Sequence, residues 1–167
     1  MKIIVSVDRN WGIGYQGQLL LRIPEDMKFF KQMTIGKVVV MGRGTFESLP
    51  GKQPLKERTN IVLSSNMVAP DSGVIVCRTL DLLFQELKKY KTDDIFVIGG
   101  EKVFRQLLPY CREAYVTKIN NAYPADRFFV NLDENEDWKL ESQSEWKTYN
   151  GIQFCYTRYE CHNYRQL

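Results

Sequence analysis

The stretch VVVMGRGTFESL, residues 38–49, runs from four consecutive apolar residues through a glycine-rich turn into a short helical pattern. Three β-branched valines and a methionine in a row suit a strand buried on both faces, as in mostly parallel sheets, better than a half-solvated antiparallel strand. Gly42, Arg43, Gly44 and Thr45 then turn the chain into a helix expected over 44–49. Working outward, similar runs recur at IIVSV (3–7), NIVLS (60–64), GVIVC (73–77) and DIFVIGG (94–100), and further helical patterns fall at 24–34, 79–90 and 101–108. The alternation predicts a layered α/β domain with helices on both faces of the sheet. Beyond REAYVTKI (112–119) and the acidic stretch NLDENED (131–137), WKLESQSEWKT and IQFCYTRYE flank Tyr149, Asn150 and Gly151. Asn-Gly is a strong hairpin signal, so the sheet is expected to end in an antiparallel pair.

Length and composition narrow the function classes. At 167 residues and 44% hydrophobic, the chain suits a single domain spanning 1–167 with a sizeable core. A net charge of +3 without a basic stripe argues against nucleic acid as a partner. Asp8 and Arg9 interrupt the apolar start before it could form a secretion signal, and no run is long enough to span a bilayer. Cys77, Cys111, Cys155 and Cys161 show neither zinc-ligand spacing nor a disulfide framework. They read as free thiols of a reducing cytoplasm, with no metal expected.

Glycine marks two strand ends. Gly42 to Thr45 would gather backbone amides and the Arg43 guanidinium beside a helix start, and Gly99 and Gly100 would let backbone approach a ligand closely. Neither turn has the spacing of a dinucleotide fingerprint or a P-loop. Two such turns at the carboxyl ends of strands still favour a phosphate-bearing cofactor, because ligands bind at that edge of open sheets. Ser64 and Ser65 could add hydroxyl donors or simply end a strand, and Arg58 could be solvated or clamp a carboxylate. The only histidine, His162, sits in a polar tail, so a carboxylate or a cofactor must carry any chemistry.

Asp26 is the carboxylate of interest. In LLLRIPEDMKFFKQMT (19–34) it occupies the first helical turn, with Phe29 and Phe30 at i+3 and i+4. As a solvated helix-start acid it would contribute only about 0.3–1 kcal/mol. Beside an aromatic face lining a cleft, its desolvation would cost several kcal/mol unless a ligand compensates. That balance points to a polar ligand rather than to stability.

Taken together, VSVDRNWGIGYQGQLL, the Ile23-Pro24-x-Asp26 helix start with Phe30, VMGRGTFESL, RTNIVLSS from Arg58, VIGG and YVTKI resemble the bacterial dihydrofolate reductases over essentially the whole length. The resemblance implies a central, mostly parallel eight-stranded sheet flanked by four helices and closed by the C-terminal hairpin. It also implies a cytoplasmic monomer that uses NADPH to reduce 7,8-dihydrofolate to tetrahydrofolate for one-carbon metabolism. Asp26 would bind the pterin and promote protonation of N5, with hydride passing to C6. Ile4, Val5, Phe30, Leu49, Leu55 and Ile98 would wall the substrate, Thr117 would support Asp26, and Arg58 would clamp the glutamate tail.

For the cofactor, the resemblance implies Ser6, Ile13, Gly14 and Leu19 on the nicotinamide side. Gly42, Arg43, Gly44, Thr45, Leu63, Ser64, Ser65 and Arg78 would follow along the dinucleotide, with Arg43 and Ser64 at a 2′-phosphate. Ile98, Gly99, Gly100, Glu101, Lys102, Val103 and Phe104 would complete it, with a cis peptide between the two glycines. Residues 13–19 would form a mobile loop with Gly12, Gly14 and Gly17 as hinges.

Four positions depart from the pattern. Leu20 and Leu21 stand where the family usually has Pro-Trp, Phe104 where bacterial members often have Tyr, and Glu101 where a smaller residue is common. A same-fold reductase acting on another pyrimidine or pterin, or a silent NADP-binding module, remain alternatives at this level.

Overall fold

The computed structural model describes residues 1–71 and 73–167. Its strands are β1 (Lys2–Val7), β2 (Gly12–Tyr15), β3 (Gln18–Leu19), β4 (Val38–Gly42), β5 (Thr59–Leu63), β6 (Val74–Cys77), β7 (Ile95–Gly99), β8 (Glu113–Ile119), β9 (Arg127–Phe128), β10 (Trp138–Gln143), β11 (Lys147–Tyr149) and β12 (Ile152–Cys161). The helices are α1 (Pro24–Thr34), α2 (Arg43–Ser48), α3 (Leu80–Leu87) and α4 (Glu101–Leu107).

The main sheet runs in the order β10-β12-β8-β1-β7-β4-β5-β6. From β8 to β6 every pairing is parallel, and β12 joins antiparallel to β8. This is the expected eight-stranded, mostly parallel sheet with four helices. Alternation along its strands divides the core between two faces. Val38 and Val40 of β4 join Ile61, Val97 and the helical residues Leu83, Leu87, Val103 and Leu107 on one side. Val39 and Met41 point the other way, packing with Val62 and with Phe46 of α2. Both faces of β4 are therefore buried, which is why its sequence is continuously apolar.

Two expectations change in detail. The run 138–148 is not one strand: β10 and β11 pair with different lengths of the same edge of β12, and the β10 register shifts between Leu140 and Ser142. Asn150 and Gly151 do form the closing turn, with φ of 47° and 76°, joining Tyr149 to its cross-strand partner Ile152. The segment expected as a loop over 13–19 is instead mostly the hairpin β2–β3. Gln16 and Gly17 form its tip at φ of 49° and 77°, and β9 adds a third strand. Strands of two to four polar or glycine-rich residues carry no usable periodicity, so this small sheet was not legible in advance.

Candidate active site

Helix α1 carries the candidate acid for a local reason. Pro24 occupies its first turn, where a missing N–H costs nothing, and Asp26 follows within that turn. Asp26, Phe30 and Thr34 recur at i, i+4 and i+8 and share one face. From the sheet, Thr117 Oγ1 donates to Asp26 Oδ1 at 2.6 Å and Ser6 Oγ donates to Oδ2 at 3.2 Å. These two donors come from neighbouring strands, where Ser6 of β1 is paired with Thr117 of β8. Burial raises the Asp26 carboxyl above its ordinary range, while the Thr117 and Ser6 hydroxyls pull it partly back. The carboxylate is thus desolvated enough to titrate late, yet oriented through both oxygens.

The same helix places Arg58 at the other end of this face. Thr34 Oγ1 donates to the Phe30 carbonyl at 2.8 Å and accepts from Arg58 Nη1 at 3.1 Å, while Arg58 Nε donates to the Lys56 carbonyl at 2.9 Å. Among the described residues, no carboxylate forms an ion pair with Arg58. Burial lowers its affinity for the proton, partly opposed by Glu57. A guanidinium fixed by two neutral acceptors keeps its charge available for an incoming anion.

Asp26 and Arg58 lie on the wall of one cleft of about 1330 Å³. Ile4, Val5, Phe30, Leu49, Leu55 and Ile98 supply its apolar lining around them, and Thr117 and Ser6 reach it from below. The cleft continues past Ile13 and Leu19 to the carboxyl ends of β4, β5 and β7. Gly42, Arg43, Gly44 and Thr45 border that part, as do Leu63, Ser64, Ser65 and Arg78. Gly99 and Gly100, joined by a cis peptide, lead into Glu101, Lys102, Val103 and Phe104 on the remaining wall. A Cβ on Gly99 would sit 3.1 Å from Thr45 Oγ1, and its φ of 135° disfavours any other residue. Eight Lys or Arg side chains line the cleft against three carboxylates, an excess suited to anionic ligands.

Local pairing explains several side chains. Asn66 Oδ1 accepts from both Arg43 Nη1 and Ser64 Oγ, each at 3.2 Å, and Arg43 Nε donates to Glu47 at 2.7 Å. Arg78 donates to the Met67 carbonyl. Glu101 accepts from Arg105 Nη2 at 2.9 Å, so its charge meets a cation one turn along α4. Phe104 is buried edge-on against Phe129, with ring centres 5.0 Å apart.

Of the residues expected at the site, Gly14 is off the cleft wall. It lies inside β2 opposite Leu19, and its carbonyl accepts from Asp126 N at 3.0 Å. Leu20 and Leu21 also stand off the wall: Leu20 packs beside Gly12, and Leu21 packs against the cluster of Ile23, Ile119 and Phe154. Sequence reasoning missed Asp126, whose Oδ2 accepts from Gln16 N at 3.0 Å and so ties the tip of β2–β3 to the segment before β9. It also missed Asn66 and the cleft residues Arg22, Lys31 and Gln106. Only the placement of Asn66 just after a strand hinted at any of them.

Comparison with known proteins gives a consistent answer. A family model described as dihydrofolate reductase matches residues 1–161. The dihydrofolate reductase of Bacillus subtilis is 37% identical over 146 residues, covering 87% of this chain and 83% of that protein. That of Haemophilus influenzae is 37% identical over 139 residues, covering 83% of each. The solved structure of dihydrofolate reductase from Enterococcus faecalis, complexed with NADP(H) and RAB-propyl, superposes with a TM-score of 0.84 at 33% identity. It covers 96% of this chain and 95% of that one.

Proposed function

The chain belongs to the dihydrofolate reductase family, and from that premise we propose that Asp26 serves the protonation half of the reaction while the glycine-flanked end of the cleft holds the cofactor. The reaction is the NADPH-dependent reduction of 7,8-dihydrofolate to 5,6,7,8-tetrahydrofolate. The observation that carries the residue assignment is the half-buried Asp26 carboxylate, held by Thr117 and Ser6 and raised in its titration by burial.

The donor set fits NADPH. Arg43, Arg78 and Lys102 offer charge to phosphate groups, Ser64 and Ser65 offer hydroxyls, and the close approach of Gly99 to Thr45 leaves backbone free of side-chain bulk. Arg43 and Ser64 sit together through Asn66, which favours a 2′-phosphate and hence NADP over NAD. When bound, NADPH supplies the hydride that reduces C6 of the substrate.

The chain's own residues bind, orient and protonate. Asp26 accepts hydrogen bonds from the pterin's amino group and ring N–H and promotes protonation at N5. Thr117 and Ser6 keep both of its oxygens oriented during this step. Phe30, Leu49, Leu55 and Ile98 hold the flat rings and exclude water, and Arg58 takes the carboxylate of the substrate's tail.

We further read residues 1–167 as one domain acting as a cytoplasmic monomer, without nucleic-acid or membrane partners. Four free, buried thiols support the cytoplasmic part of this reading. Among the described residues, no helix is long and apolar enough to cross a membrane. Incubating the protein with NADPH and dihydrofolate while following cofactor absorbance tests the assignment. Turnover is expected, and cofactor binding without turnover would reject it.

A further inference from the structure

The hydroxyl of Tyr156 is buried and, among the described residues, has no hydrogen-bond partner in the protein. Such atoms are rare, because a desolvated hydroxyl without a partner is costly, and each one calls for an explanation. Tyr156 lies on β12 directly opposite Thr117, the residue that donates to Asp26. Its ring packs against Phe29 of α1 with centres 4.6 Å apart and edge-on against Phe154 at 5.9 Å. It is therefore wedged between the sheet and the helix that carries Asp26.

The charged groups facing this wedge are few. Helix α1 contributes Glu25 and Asp26, and β11 contributes Lys147, whose Nζ lies 3.4 Å from Glu25. The neighbouring strands β8 and β1 contribute the hydroxyls of Thr117 and Ser6, and Tyr123 and Tyr149 pack in the same cluster. Arg158, two positions along β12, is paired with Glu113 and Glu160, while Arg22, Lys31 and Arg58 lie on the cleft wall. Burial, followed by the charges of Asp26 and Glu25, pushes the phenol up to about 12, so it stays a neutral donor at working pH. Lys147 engages Glu25. Asp26 has used two of its roughly four lone-pair sites on Thr117 and Ser6. Tyr156 makes no direct bond to Asp26, yet it stands opposite Thr117, which does, so the unmatched donor and the spare acceptor capacity share one side of β8, and an internal water is the partner such a donor calls for.

We propose that Tyr156 is a positioning residue for Asp26, its hydroxyl donating to an internal water that in turn donates to the carboxylate and favours its ionised form. The inference rests on the reading of Asp26 as the acid of the reaction. Its effect opposes burial and acts with Thr117 and Ser6, so removing the hydroxyl makes Asp26 titrate at higher pH.

Tyr156→Phe keeps the ring and its packing and removes only the hydroxyl. In the variant the Asp26 carboxyl, followed by carbon NMR in the protein without ligands, is expected to titrate about half a unit to one unit higher. The pH midpoint of single-turnover hydride transfer should move the same way. Should the phenylalanine variant fail to fold, 3-fluorotyrosine at 156, a stronger donor with the same ring, is expected to move both midpoints down. Unchanged or oppositely moved midpoints in a folded variant overturn the inference, even if the wild type turns over normally. If the wild type shows no turnover while the carboxyl titration moves as expected, Tyr156 positions Asp26 and the functional reading fails instead.

Discussion

Thr117 Oγ1 lies 2.6 Å from Asp26 Oδ1, joining residues 91 positions apart across the interface of α1 with β8. The contact gives a half-buried carboxylate a fixed donor while its second oxygen takes Ser6. It also makes the acid dependent on the sheet beneath it, so the chemistry of Asp26 can be perturbed without touching it. Replacing Thr117 with Val preserves shape and removes the donor. We expect a loss of about 1–3 kcal/mol in unfolding free energy at neutral pH, where the carboxylate is left without its shortest bond. The activity profile should shift to higher pH. Denaturant unfolding and a pH–rate series check both.

Asp26→Asn keeps size and hydrogen-bonding shape but cannot carry the charge. Turnover at neutral pH should fall by roughly a hundredfold to ten-thousandfold, the usual range for a positioned acid or base. The loss should shrink as pH falls and solvent supplies the proton directly. Near-normal steady-state NADPH oxidation by this variant at pH 7 would remove Asp26 from the mechanism.

The same substitution has an opposite effect on stability. Because burial raises the folded-state titration of Asp26 above its ordinary value of 3.8, its contribution is complete below that pH and is lost as pH rises through the folded value. Asparagine has no such loss. Thermal melts should therefore show Asp26→Asn more stable than wild type at pH 7, with the advantage disappearing in acid.

Arg58 faces the cleft with its guanidinium held by Thr34 and Lys56 rather than by a carboxylate. Arg58→Leu should raise the KM for dihydrofolate by about ten- to a hundredfold, the value of one charge-assisted hydrogen bond or pair, with kcat largely kept. Arg58→Lys should recover little of this, because an ammonium lacks the planar fork. A large fall in kcat with unchanged KM would contradict the assignment.

Asp126 Oδ2 holds the backbone amide of Gln16 at the tip of β2–β3, which borders the cleft. Asp126→Ala should leave the main sheet intact, since Asp126 lies outside its strands. Hydrogen exchange at Gln16 should speed up by about tenfold, for a bond of about 1 kcal/mol. A several-fold drop in kcat is expected if the hairpin shields the cleft during turnover.

Much of this molecule is determined locally. The continuous apolar runs at β4 and β7, the Asn150-Gly151 turn and the Pro24 helix start each follow from periodicity, φ preference or a missing N–H, and they reappear in the structure with only small boundary changes. Glycine turns at two strand ends and one acid among aromatics already mark the cleft in the chain. Other features depended on contacts between distant segments, which no spacing encodes. The split of 138–148 into β10 and β11 arises from a register shift against β12. The small sheet holding residues 12–19 needs β9 and Asp126, more than a hundred positions away. The protonation behaviour of Asp26 belongs to the same class. Its carboxyl group is chemically ordinary in the chain and becomes a late-titrating acid only where α1 lays it on Thr117 and Ser6, because burial and hydrogen-bond donors are properties of the assembled interface.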